Sequence, residues 1–235
     1  MKDILFVTAT VKEMKAALGG VCELPDLRQG VAVPFDFSGQ SGLLLVTGIG
    51  IINSSFALGQ TLAKYEIGIV VLAGIAGTFN PDRFPVGSAC IVKTEIWPEY
   101  GLKNGKEIDP KGLGFSLAEI NGIQIWDRIE LNCGNSFRKS VLDRFAKLPE
   151  AVSLTVSGVT ATEDEALRLK TEFKADIENM EGFATAYGCA LSGVPVCQVR
   201  TVSNLVGSRD RKDWDLKGAL AELGRICSPL VKKTS

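Results

Sequence analysis

Short apolar runs enriched in β-branched residues recur along the chain at 4–8, 43–47, 69–73, 89–92, 154–156 and 194–202. Runs of this length are the pattern of strands buried on both faces. Between several of them the spacing of apolar positions becomes helical, predicting helices over 11–18, 53–65, 136–147, 163–173 and 182–191 and a last one within 217–231. In the third of these, Leu142, Phe145 and Leu148 form one apolar face. Strands alternating with helices predict an α/β fold, a single domain of three layers, α/β/α, around a central mixed sheet. The stretch 97–117, rich in Gly, Lys, Pro and acids, reads as a long surface excursion, and such loops in compact domains are often functional. The closing VKKTS, 231–235, reads as a frayed tail.

Composition narrows the classes of function. The 235 residues, 46% hydrophobic, suffice for one sizeable core, so 1–235 is expected to be one domain. Lys and Arg number 26 against 27 Asp and Glu, which leaves no basic excess to attract a phosphate backbone, and nucleic acid is not an expected partner. MKDILFVTAT has an acid at its third position and only a short apolar run, unlike a signal peptide, and no later stretch is long enough to span a bilayer. A cytoplasmic enzyme without a membrane partner is the expectation. Cys22, Cys90, Cys133, Cys189, Cys197 and Cys227 contain no C-x-x-C pair and read as reduced core residues. Histidine is absent, which removes His triads, His general bases and His-containing zinc sites. Acid–base chemistry must fall to carboxylates, lysines or amides.

Five constellations could carry such chemistry. In VTATVKEMKAAL a strand runs into a helix with Glu13 in its first turn, where a carboxylate can project over the sheet edge that binds ligands in open α/β folds or merely complement the helix dipole. In LLLVTGIGIINSSFAL, Gly48 and Gly50 form a strand-to-helix turn without a third glycine at dinucleotide spacing. VVLAGIAGTF carries an apolar strand into Gly74-Ile75-Ala76-Gly77, which presents backbone to a ligand or simply packs closely. ADIENMEGFATAYGCAL delivers Met180 and Glu181 just before a small-residue helix; the Glu could accept from the two hydroxyls of a ribose, with Met180 as a soft platform under the sugar, or cap the helix. VPVCQVRTVSNLVGSRDRKDW places Ser203 and Asn204 directly after a core strand, as site residues or as an Asx-turn.

Taken together in their order, TATVKE, the turn at Gly48–Gly50, AGIAG at 73–77, VSG at 156–158, ENMEG at 178–182 and RTVSN at 200–204 resemble the purine nucleoside phosphorylase and nucleosidase superfamily, over most of the chain from residue 7 to about 215. TATVKE and SNLVGSRDRKDW most resemble its futalosine hydrolases. The resemblance implies hydrolysis of the N-glycosidic bond of a purine nucleoside, with no cofactor and no metal, in a homo-oligomer. It implies Glu13 as the base that activates water, Asn204 facing the purine, Met180 and Glu181 at the ribose, and Ile75, Gly77 and Thr162 as further substrate-binding positions. Methylthioadenosine-type nucleosidases have an aspartate in place of Asn204 and an aromatic near Ala161, so cleavage of adenine nucleosides is not expected. Phosphorolysis is the alternative reaction, but the glycine turns have few basic neighbours apart from Arg83 and Arg200. A non-catalytic nucleoside-binding domain is the remaining alternative, and it would have no use for Glu13. Trp97, Tyr100, Arg209 and Trp214 are candidates for binding an anionic aromatic 5′ group.

Overall fold

The computed structural model describes residues 1–105, 107–133 and 145–231. In chain order the strands are β1 (Lys2–Thr8), β2 (Val33–Phe37), β3 (Gln40–Val46), β4 (Ile67–Thr78), β5 (Ala89–Ile96), β6 (Leu102–Asn104), β7 (Glu107–Asp109), β8 (Ala118–Ile120), β9 (Ile123–Ile125), β10 (Arg128–Glu130), β11 (Glu150–Thr155), β12 (Ile177–Asn179) and β13 (Val196–Leu205). The helices are α1 (Val11–Leu18), α2 (Ile51–Lys64), α3 (Glu163–Phe173), α4 (Gly182–Leu191) and α5 (Leu216–Cys227). Among the described residues, nine strands make one mixed sheet, in the order β10-β5-β11-β12-β4-β1-β3-β2, with β13 bridging β4 and β5.

The period-2 alternation of the central strands decides which helix packs where. Leu5, Val7, Leu43, Leu45, Val70 and Leu72 face one side, where Ala57 and Leu58 of α2 and Phe183, Ala186 and Cys189 of α4 cover them. Their neighbours Ile4, Phe6, Leu44, Val46, Ile69 and Val71 face the other, against Met14, Ala17 and Leu18 of α1 and Leu223, Ile226 and Cys227 of α5. Each such side chain, buried on a two-sided strand, contributes roughly 1.5–3 kcal/mol. α3 rests Ala166 and Leu169 on a smaller cluster with Ile96 and Leu154. This is the expected fold, a central mixed sheet between helices.

One feature was not legible in the apolar pattern. β4 pairs with β13, β13 with β5, β5 with β11, β11 with β12 and β12 back with the end of β4, so five strands close into a ring. β4 is long enough, at 12 residues, to serve neighbours at both ends, and glycines within a strand permit close approach and bending. The helix expected over 136–147 lies mostly on residues outside those described; 145–147 form a short 3-10 turn, with Phe145 buried against the α5 side of the core. The excursion 97–117 is not structureless, since it carries the antiparallel pair β6–β7. Trp97 packs partly buried against the core, its ring 5.8 Å from both Tyr100 and Phe183. Cys90, Cys189, Cys197 and Cys227 are buried and Cys22 and Cys133 partly so, none of the six in a disulfide. Among the described residues no helix is long and apolar enough to cross a membrane.

Candidate active site

The carboxyl ends of β1, β3, β4 and β13 meet at one rim, and β12 delivers Asn179 to the same place. A cavity of about 300 Å³ opens there, lined by Glu13, Ile75, Gly77, Met180, Glu181 and Asn204 among others. That is the small end of the ~300–1,000 Å³ typical of ligand pockets, and the carboxyl edge is where open α/β sheets bind ligands.

Glu13 is held by its own helix start. Thr10 is the N-cap of α1, and the two residues form a capping box. The Thr10 N–H and hydroxyl donate to Glu13 Oε2 at 2.9 and 2.7 Å, while the Ile75 N–H donates to Oε1 at 3.1 Å. The carboxyl is only 5% exposed. Burial pushes its pKa above the ordinary 4.5; the Thr10 and Ile75 hydrogen bonds and Arg200 pull it back, and Glu181 adds to the rise. A buried carboxyl so poised is suited to proton transfer. Gly74 makes the arrangement possible, because a Cβ there would sit 2.7 Å from Arg200 Nη1 and 2.9 Å from Glu13 Oε1.

Glu181 precedes α4 and is equally buried. Its Oε1 accepts from the Gly50 N–H at 3.1 Å, and its Oε2 lies 3.5 Å from Arg200 Nη1. Gly50 has φ +89°, a left-handed conformation that favours glycine, so the G-I-G turn spends its backbone donor on a side chain of the site. Arg200 is 1% exposed; its Nη2 donates to Asn179 Oδ1 at 3.1 Å and its Nη1 to the Ile75 carbonyl at 3.3 Å. An arginine inside the core strand VCQVRTV is the signal in the sequence that could have marked it, because an arginine is almost never fully buried unless paired.

Asn204 reaches the cavity through a β-bulge. The register of β13 on β4 slips between Val202 and Asn204, making Ser203 the extra residue. The Ser203 hydroxyl lies 2.8 Å from Asn204 Oδ1, and Asn204 Nδ2 donates to the Leu205 carbonyl at 3.0 Å. Each end of the amide keeps further capacity, a second N–H and a second lone pair. Gly77 stands opposite, where a Cβ would lie 3.1 Å from Asn204 Nδ2. Among the described residues no group of three or more His, Cys, Asp and Glu side chains is arranged to hold a metal ion.

The family model described as the Phosphorylase superfamily matches residues 3–232. The chain belongs to that superfamily. The futalosine hydrolase of Thermus thermophilus is 35% identical over 204 residues, covering 84% of this chain and 87% of the relative. That of Acidothermus cellulolyticus is 28% identical, over 93% of this chain and 86% of its own. Among solved structures, a futalosine hydrolase mutant of Helicobacter pylori shares the fold with a TM-score of 0.77, at 18% identity and 98% coverage of both chains. These relatives bear out the resemblance read from TATVKE and SNLVGSRDRKDW. In this superfamily member the fold gathers Glu13, Ile75, Gly77, Met180, Glu181 and Asn204 around one cavity, along with Arg209 and Trp214. Thr162 stands apart: it is the N-cap of α3 and lines an adjacent cavity. Trp97 and Tyr100 do not line the central cavity either. Arg83 is spent on Asp176 at 3.2 Å and on the Glu150 carbonyl at 2.8 Å.

Proposed function

We propose that this protein hydrolyses the N-glycosidic bond of futalosine, releasing hypoxanthine and dehypoxanthine futalosine in menaquinone biosynthesis, as a cytoplasmic homo-oligomer. The observation that carries the chemistry is a pair of buried carboxylates, Glu13 and Glu181, on one cavity with an amide, Asn204, on its wall. Breaking the bond builds positive charge on the ribose and negative charge on the purine. Two carboxylates stabilise the first, and Glu13 takes a proton from the attacking water, a role worth ~10²–10⁴-fold. Glu181 accepts from the ribose hydroxyls with the lone pairs that Gly50 and Arg200 leave, and Met180 packs on the sugar. Asn204 donates to O6 of a 6-oxopurine and accepts from N7 as that atom takes a proton from solvent, a contact that favours the transition state.

Water is preferred to phosphate as nucleophile, because Arg83 and Arg200, the basic neighbours of the glycine turns, are engaged by protein groups. For the 5′ end, Lys12 and Arg209 both line the cavity, and among the described residues neither is in an ion pair. Arg209 stands 5.8 Å from the Trp214 ring centroid, so cation and aromatic wall suit an anionic carboxyphenyl group. The homo-oligomer is supported by Ile49 at the cavity and by Ile52 and Phe56 on α2, which are 56%, 85% and 67% exposed.

The test is to incubate the purified protein with futalosine, aminodeoxyfutalosine and methylthioadenosine, with and without phosphate, and to follow the freed base. Hypoxanthine should appear at a rate indifferent to phosphate, and the 6-amino substrates should react roughly 5- to 150-fold more slowly, since an unpaired buried polar group costs about 1–3 kcal/mol. Release that requires phosphate overturns hydrolysis, and equal cleavage of the 6-amino compounds removes Asn204 as selector.

A further inference from the structure

Behind the cavity lies a carboxylate with no part in the chemistry above. Glu95, the last residue but one of β5, is fully buried. Three side chains converge on it, and all can act as donors: Thr155 Oγ1 and Asn179 Nδ2 lie 2.6 and 2.9 Å from Oε1, and Gln198 Nε2 lies 2.9 Å from Oε2. The chain leaves room for it, since a Cβ on Gly182 would meet Glu95 Oε2 at 2.3 Å. Burial raises the Glu95 pKa above the ordinary 4.5, against the pull of Thr155, Arg200, Asn179 and Gln198, whose donors solvate the anion.

The far end of Asn179 faces the active site. Its Oδ1 accepts from Arg200 Nη2 at 3.1 Å and from the backbone N–H groups of Glu181 and Gly182 at 2.9 and 2.6 Å. The amide therefore lies between a buried cation and a buried anion, with its negative end on Arg200 and its positive end on Glu95. A guanidinium in this low-dielectric interior must be balanced, and its other anionic neighbours are Glu181, at 3.5 Å, and Glu13. At 3.5 Å the contact with Glu181 is slack, well beyond the ~2.7–2.9 Å of a full charge-assisted hydrogen bond.

We propose that Glu95 is a positioning residue: it is the counter-ion that, through the Asn179 amide, anchors Arg200 and so leaves the Glu181 carboxylate to the ribose hydroxyls. Without it Arg200 closes onto Glu181 and takes up the lone pairs that the sugar needs. The inference rests on the reading of Glu181 as the ribose-binding carboxylate.

Glu95→Gln removes the charge with little change of shape. Gln198 Oε1 is buried without a partner, so turning that amide over gives the new NH₂ of the variant an acceptor. The double variant E95Q/N179D then moves the negative charge next to Arg200, with the new glutamine amide donating to the new aspartate. The readout is the ratio of kcat/KM for futalosine over its 2′-deoxy form, alongside melting temperature. E95Q should lower that ratio about tenfold, the scale of one charge-assisted hydrogen bond, and E95Q/N179D should bring it back to within about threefold of the unmodified enzyme. General destabilisation would reduce both substrates alike and leave the ratio unmoved. A ratio unchanged in a folded E95Q overturns the inference alone, as does a double variant no better than E95Q. If E95Q does not fold, restoration of both fold and ratio in E95Q/N179D supports the relay, and failure of the double variant overturns it. An unmodified enzyme with no preference for the 2′-hydroxyl sinks the reading of Glu181 and the inference with it.

Discussion

Glu13 has two tasks that pull in different directions, capping α1 with Thr10 and accepting a proton in a buried site. Replacing it with Gln keeps the shape but cannot take the water's proton, so kcat should fall by ~10²-fold or more while KM changes little; near-normal turnover in E13Q would remove it as the base. Its raised pKa also has a sign for stability. A carboxyl whose folded-state pKa exceeds its unfolded value favours folding at pH below the unfolded value, and that contribution is lost as pH rises through the folded-state pKa. Denaturant midpoints of E13Q measured against the unmodified protein should therefore move in favour of the variant as pH rises above about 4.5, and then level off. The acid limb of kcat/KM, which reports Glu13 losing its proton, should lie above the ordinary carboxylate range. At this scale the sequence singled out Glu13, Met180, Glu181 and Asn204, which the fold brings to one cavity, because each lies within a few residues of a strand end or a helix start. It did not join Arg200, Asn179 and Glu95 to them, since which side chains of β13, β12 and β5 meet is settled only when strands distant in the chain pair.

Elements show where small residues are a requirement of function rather than of the backbone. Gly74 lies in β4 without a positive φ, so Gly74→Ala is allowed by the backbone and its cost comes from contact alone. The added methyl displaces Arg200 Nη1 and Glu13 Oε1, both ends of side chains, so unfolding should be easier by only about 1–3 kcal/mol. Turnover should suffer more, ~10²-fold, because sub-ångström misplacement of catalytic groups is expensive. A G74A protein with normal kcat/KM would mean that the closeness of those two groups does not matter. Helix limits were largely readable: α1, α3 and α4 have the bounds their apolar spacing predicts, with Thr10 and Thr162 as caps. α2 instead begins at Ile51, two residues before the expected start, because Gly50 supplies the N-cap conformation ahead of the apolar spacing. The ribbon β6–β7 was unreadable, as its six described strand residues are mostly exposed and carry no alternation.

The whole molecule presents Ile52 and Phe56 of α2 to solvent, a few residues after Ile49 at the cavity, an arrangement that a second copy would cover. Light scattering of the unmodified protein should give a multiple of 25.1 kDa, and Phe56→Lys should shift it toward the monomer with a raised KM for futalosine. A fully active monomer at assay concentration would show that the site needs no second copy. What the sequence by itself determined is the layered α/β class and the rim on which the site sits, because alternation of apolar positions and the residues at strand ends are local properties of the chain. Only the tertiary structure decided that five strands close into a ring, that a bulge at Ser203 turns Asn204 into the cavity, and that Glu95, Asn179 and Arg200 join behind Glu181. Those outcomes depend on which strands far apart in the chain become neighbours, and a local pattern of residue types fixes which face of a strand is buried but not which distant strand lies beside it.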